Sequence, residues 1–246
     1  MYPLLPKIWF LVSITLIIIV GIGVFSVFGD QFLWLKIAHS VAIGIIFFVT
    51  VFFGLSCYWA PWRCLLRRFP SLVRFAYPDI NGVWVGCTKS NWPIIENMKN
   101  KSEDEKTSNN KENHPNLQED PIAIEIKSHL FSVYIRAYAK NTDSESFTLT
   151  AKPRWDCSKG RIKLSYVYQQ DTKKLVKTDQ EQHIGAAEVV FDPDEPDEAN
   201  GIYWTRRSWR EGLNTAGKIE LARRTQRHAP GKKLKDFVEN LEGCPK

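Results

Sequence analysis

The sequence predicts an N-terminal two-helix transmembrane hairpin followed by an all-β domain, a small closed antiparallel β-barrel of about eight strands with a short C-terminal helix. Three observations carry this expectation. Two long uncharged runs open the chain of 246 residues and end by about Phe69. Beyond Tyr77, short runs of alternating apolar and polar residues recur roughly every ten positions, bounded by Asn, Asp, Gly, Pro or Ser. Closing such a meander on itself removes its unpaired edges.

The hairpin comes first, over residues 1–69. Lys7 and Asp30 enclose about 22 uncharged residues, and Lys36 and Arg63 about 26, each more than the roughly 20 that cross a hydrocarbon layer. The expected spans are about 8–28 and 37–60. The first is too long for the apolar part of a signal peptide and lacks a small-residue cleavage pattern, so it reads as an uncleaved anchor. Only Asp30 and Lys36 lie in the short link, whereas Arg63, Arg67, Arg68 and Arg74 follow the second run. Positive charge stays cytoplasmic, which places the N-terminus and the C-terminal domain on that side. Trp9, Trp34, Tyr58, Trp59 and Trp62 sit near the span ends, where amphipathic rings favour headgroups. Ala38 with Ala42, Ser40 with Gly44 and Thr50 with Gly54 allow close helix approach, within one hairpin or between chains.

A basic connector, 70–80, leads to a barrel domain over 81–230. Asn81-Gly82 is a turn, after which Val83, Trp84 and Val85 begin a strand. The stretch 93–120 is rich in Asn, Lys, Glu and Ser, poor in large apolar residues, and is expected to be a long mobile loop. Strand signals resume at Ile122 to Lys127, Leu130 to Tyr138, Phe147 to Trp155, Arg161 to Gln169, His183 to Phe191, Gly201 to Arg207 and Lys218 to Arg224. In 231–246, Leu234, Phe237, Val238 and Leu241 share one helical face, expected to cover a barrel mouth.

A net charge of +6 points to anionic partners, but no uniform basic stripe runs through the domain, and no DNA or RNA polymer is expected as a partner. Cys57, Cys64, Cys87, Cys157 and Cys244 are odd in number and scattered, which favours unpaired packing residues over a disulfide framework or a zinc site. The five His form no metal-binding pair, and neither a nucleophile elbow nor a phosphate loop is present. No catalytic residue, metal ligand or cofactor is therefore expected. Asp192, Asp194, Glu195, Asp197 and Glu198 read as a solvated hairpin loop, because their order lacks the spacing of a calcium site.

The chemistry concentrates in Asn200 to Arg224, which carries two Trp, one Tyr and six Lys or Arg. Flat rings beside fixed positive charge suit an anion that can stack. Strand alternation puts Tyr203, Thr205 and Arg207 on one face and Ile202, Trp204 and Arg206 on the other, without saying which lines the barrel. The candidate ligand-binding residues are Tyr203, Trp204, Arg206 and Arg207, the turn residues Trp209, Arg210, Asn214 and Thr215, and Tyr134, Arg136 and Tyr166 on nearby strands. Arg223 and Arg224 on the last strand neighbour Trp84 on the first in a closed barrel, and an Arg over that indole would plug it.

Two apolar runs, a basic connector, PDINGVWVG at the start of the domain, and GIYWTRR and LNTAGKIELARR at its end resemble the bacterial anti-phage CBASS effectors that fuse a two-helix membrane hairpin to a minimal eight-stranded β-barrel. Lipocalin-like meanders echo the GxWxG and TxGxIxLxR runs more loosely. The resemblance implies that the barrel binds a cyclic oligonucleotide second messenger made by a partner nucleotidyltransferase. It further implies oligomerisation and disruption of the bacterial inner membrane, with the protein a two-pass component of that membrane and the lipid bilayer a partner. A membrane-anchored calycin-like binder of lipid or another small ligand, and a tethered scaffold without a ligand, remain the alternatives.

Overall fold

The structure is a computed structural model, and it describes residues 37, 40–48, 64, 68–69, 79–103, 115–129, 132–156, 159–174, 181–192, 194–225, 231–239 and 244. The chain divides into two compact units, Met1–Asp79 with Ser128–Ser132, and Ile80–Lys127 with Val133–Lys246.

In the first unit the expected membrane hairpin is corrected. Among the described residues no helix is long and apolar enough to cross a membrane. Residues 40–48 are helical, and 38–39 and 49–60 of the second expected span lie outside the described residues. The span expected at 8–28 lies outside the described residues, as does the connector at 70–78. An uncharged run of sufficient length is a necessary condition for a spanning helix and not a sufficient one. The two-pass inner-membrane placement rested on those spans and is withdrawn with them.

The second unit holds the expected barrel. Its strands are β1 (Gly82–Ser90), β2 (Gln118–His129), β3 (Ser132–Ala139), β4 (Ser144–Asp156), β5 (Arg161–Thr172), β6 (Gln182–Phe191), β7 (Glu198–Arg206) and β8 (Ala216–Thr225). They form a closed barrel in sequence order, and β1 pairs antiparallel with both β2 and β8. Closure requires β1 and β8 to approach closely at Gly86, where an added Cβ would run into the Glu220 carbonyl oxygen.

One end of the barrel is filled. Trp84 is fully buried, donates its indole N–H to the Ile80 carbonyl at 3.0 Å, and meets Phe191 edge-on with ring centroids 5.2 Å apart. The Arg223 guanidinium lies 4.5 Å from the centre of the Trp84 ring, the stacked plug that the order of strands suggests. Arg223 is held by Asp197 at 3.5 Å, and Asp192 pairs with Arg161 at 2.6 Å. Part of the acidic loop after β6 thus anchors cations at this end.

Two further expectations are corrected. Residues Trp92–Glu103 form a helix, α1, inside the stretch read as a mobile loop; Pro93 stands in its first turn, where a missing N–H leaves no bond unmade. The C-terminal helix, α2 (Lys235–Val238), covers the wall and not a mouth. Leu234 and Val238 pack on Val83, Val85, Ala123 and Tyr138, and in β1 the two valines alternate with the inward Trp84. The cysteines are corrected too: Cys87 of β1 is disulfide-bonded to Cys244, 157 positions away, with Cα atoms 5.3 Å apart. Spacing along the chain carries no trace of that proximity.

Candidate functional site

The opposite end of the barrel is open and polar. It is formed by the end of β1, the start of β2, the β3–β4 turn, and the ends of β5 and β7. A cavity of about 180 Å³ is lined there by Thr88, Ser90, Trp92, Gln118, Asp120, Ile122, Ala139, Thr142, Gln170, Tyr203, Thr205, Arg207 and Thr215. Closure at this end uses side chains as well as strands: Asn91 Oδ1 accepts the Ala216 N–H at 2.9 Å, and α1 starts one residue later. That sequence of events sets Trp92 on the cavity wall.

The β7 strand supplies the charged side of the cavity. Thr205 is buried and Tyr203 half-buried, while Ile202, Trp204 and Arg206 are exposed. The inner face is therefore Tyr203 and Thr205, continued by Arg207 just past the strand. Arg207 Nε donates to His183 Nε2 at 3.3 Å. His183 is buried, and burial, reinforced by the Arg207 charge, pushes its pKa down to about 3. The imidazole is neutral at ordinary pH, so it orients Arg207 without cancelling its charge.

Asp120 is the carboxylate in this wall. Burial raises its pKa, opposed by the Asn141 backbone N–H that its Oδ1 accepts at 2.9 Å and by the nearby Arg207 charge. Burial also raises the pKa of Tyr203, whose phenol hydrogen-bonds with the Ser90 side chain. The Thr205 and Thr215 hydroxyls bond each other at 2.7 Å, and Gln170 Nε2 donates to Ser144 Oγ at 2.8 Å. Beneath them, the buried rings of Tyr166 and Tyr168 lie with centroids 5.8 Å apart. Gly185 opposite Tyr168 has no room for a Cβ against that ring.

Of the residues expected at a ligand site, Tyr203, Arg207 and Thr215 line the cavity. Tyr166 is buried in the barrel but does not reach the cavity wall. Trp204, Arg206, Tyr134 and Arg136 point outward, and Arg136 lies 3.9 Å from Glu145. Trp209 and Arg210 are exposed on a 3-10 turn, Trp209–Glu211, with the guanidinium 5.5 Å from the indole centre, and Asn214 is exposed beyond it. Sequence reasoning missed Thr88, Ser90, Gln118, Asp120, Thr142 and Gln170. Alternation through Trp84 and Ile122 would have placed Thr88, Ser90 and Asp120 on the inner face.

Cys87, Glu119 and Cys244 also cluster, with ligand atoms within 4.8 Å of one another. A cysteine binds metal as thiolate, and the disulfide consumes both sulfurs.

Fold and cavity define the class as a minimal β-barrel with one plugged end and one polar, cation-bearing mouth. Residues 75–223 match the Cap15, cyclic dinucleotide receptor domain, and the chain belongs to that family. No curated protein matches the chain.

Proposed function

We propose that the open mouth of this barrel is the receptor site for a cyclic dinucleotide and that its occupation promotes self-association of the chain in anti-phage defence. The observation that carries the reading is the inward set on β7, Tyr203 and Thr205 followed by Arg207, whose guanidinium is oriented by a neutral His183. An Arg fork matches a phosphodiester, and the rings of Tyr203 and Trp92 offer faces to a base. Membership of the receptor-domain family supports the ligand class.

At about 180 Å³ the cavity is smaller than the roughly 300–1,000 Å³ of sites that enclose a drug-sized ligand. One nucleotide half therefore enters, and the other rests at the rim near Trp209, Arg210 and Asn214. A lipid carrier would line its mouth with aliphatics, and here Asp120, Gln118, Gln170 and Arg207 stand in that place. Membrane disruption is not part of this proposal. Calorimetry of the full-length chain against cyclic di-AMP, cyclic di-GMP, cyclic di-UMP and mixed cyclic dinucleotides tests it. Saturable binding of at least one is expected, and no heat with any of them would sink the reading.

A further inference from the structure

In the middle of the outer face of β7, between Asn200 and Arg206, two large apolar side chains stand where a water-facing strand would be polar. Ile202 and Trp204 are 52% and 49% exposed, and Ile184 on β6, opposite Arg206, is 43% exposed. In the ladder Trp204 stands between two small residues, Ala186 and Ala216. Ile202 stands between Glu188 of β6 and Lys218 of β8. The wall is thus an apolar ridge along β7 with a carboxylate on one flank and an ammonium on the other, about 10 Å apart at twice the strand spacing.

We infer that this ridge is the self-association surface, and that its occupant is a second copy of the chain related by a two-fold axis running along β7 in the plane of contact. That operation is the one the charges select. It places Glu188 of each copy against Lys218 of the other and sets Trp204 and Ile202 against their own counterparts, the reciprocal pattern of an isologous interface. An axis across the strands would set Glu188 on Glu188 and Lys218 on Lys218. An exposed Trp between small neighbours, next to an Ile flanked by opposite charges, has the anatomy of a binding hot spot with its rim.

The same strand faces the ligand cavity through Tyr203 and Thr205, so the two events share one backbone. Arg206, exposed and next along the outer line, meets its own copy under this axis. That like-charge contact weakens the free dimer. The surface deepens the reading above and rests on it for the trigger alone.

Sedimentation of the full-length chain, with and without saturating cyclic dinucleotide from the same panel, tests the surface. Trp204→Ala is expected to weaken association at least about tenfold. Glu188→Lys and Lys218→Glu should each weaken it, and an equimolar mixture of the two should restore it, because the mixed pair carries only attractive flanks. Arg206→Gln should strengthen association without ligand. Retained calorimetric binding in each variant shows that the barrel is folded. A chain that binds the probe and stays monomeric at every concentration overturns the inference, as does a wild-type assembly indifferent to Trp204 or unrestored by the mixture. If no probe binds, the ligand reading falls separately. The surface is then judged by concentration-dependent association of the free chain, where dependence on Trp204 supports it and a persistent monomer overturns it.

Discussion

Arg207 and His183 are joined across β7 and β6 by a bond in which the guanidinium Nε–H donates to imidazole Nε2 at 3.3 Å. The acceptor must be unprotonated, so the imidazole proton sits on Nδ1. The cation is positioned at the mouth by a neutral partner, with the Asp120 carboxylate in the same wall.

Arg207→Ala is expected to weaken cyclic dinucleotide binding by about 10- to 100-fold, the value of one or two hydrogen bonds to a charged group. Arg207→Lys should recover only part of it, since an ammonium lacks the fork. Calorimetry on folded variants checks both, and equal affinity for wild type and Arg207→Ala would remove this residue from the site.

Stability should fall as pH drops below about 6.5. The His183 pKa is depressed to about 3 in the fold, so the unfolded chain takes up its proton first. Its contribution is present above the unfolded value and is lost as pH falls toward the folded one, at up to about 1.4 kcal/mol per pH unit. Asp120, with a raised pKa, acts in the opposite sense and softens the slope near the carboxylate range. Urea midpoints between pH 7.5 and 4.5 should slope downward in wild type and flatten in His183→Gln; an unchanged slope in that variant would place the effect elsewhere.

At the plugged end, Trp84→Ala should cost about 3–5 kcal/mol, because the ring is fully buried against Phe191 and Arg223. Gly86→Ala should also destabilise, and no rotamer can relieve it, since the obstacle is the Glu220 backbone. Denaturant midpoints measure both. Neither variant touches the cavity, so any folded fraction should bind with wild-type affinity.

Reduction of Cys87–Cys244 is expected to lower stability by about 2–4 kcal/mol, by freeing a long loop in the unfolded chain. Cys87→Ser and Cys244→Ser should each reproduce the loss, and the double variant should add little. Thermal melts with and without reductant give the comparison.

The barrel was legible because alternation and turn chemistry are local, and each strand from β1 to β8 carries its own signal. Helix α1 was hidden by composition: Asn and Lys lower apolar content without forbidding a helix that has Pro93 in its first turn. Of the site, Tyr203 and Arg207 were found through ring and charge and Thr215 through the turn that follows them, whereas Asp120, Gln118 and Gln170 were not. Isolated polar residues at strand ends look alike whether they meet water or a cavity.

What the sequence by itself determined is the count of strands, their order and the partition of each into two faces. Which face is inside was decided by closure alone. Along β7 apolar content alone points the wrong way, since Ile202 and Trp204 face out while Tyr203 and Thr205 face in. An eight-stranded barrel is narrow, and its interior already holds Tyr166, Tyr168 and Trp84. The mouth takes Tyr203 and Thr205 from β7 on its inner face, and alternation then turns Trp204 out.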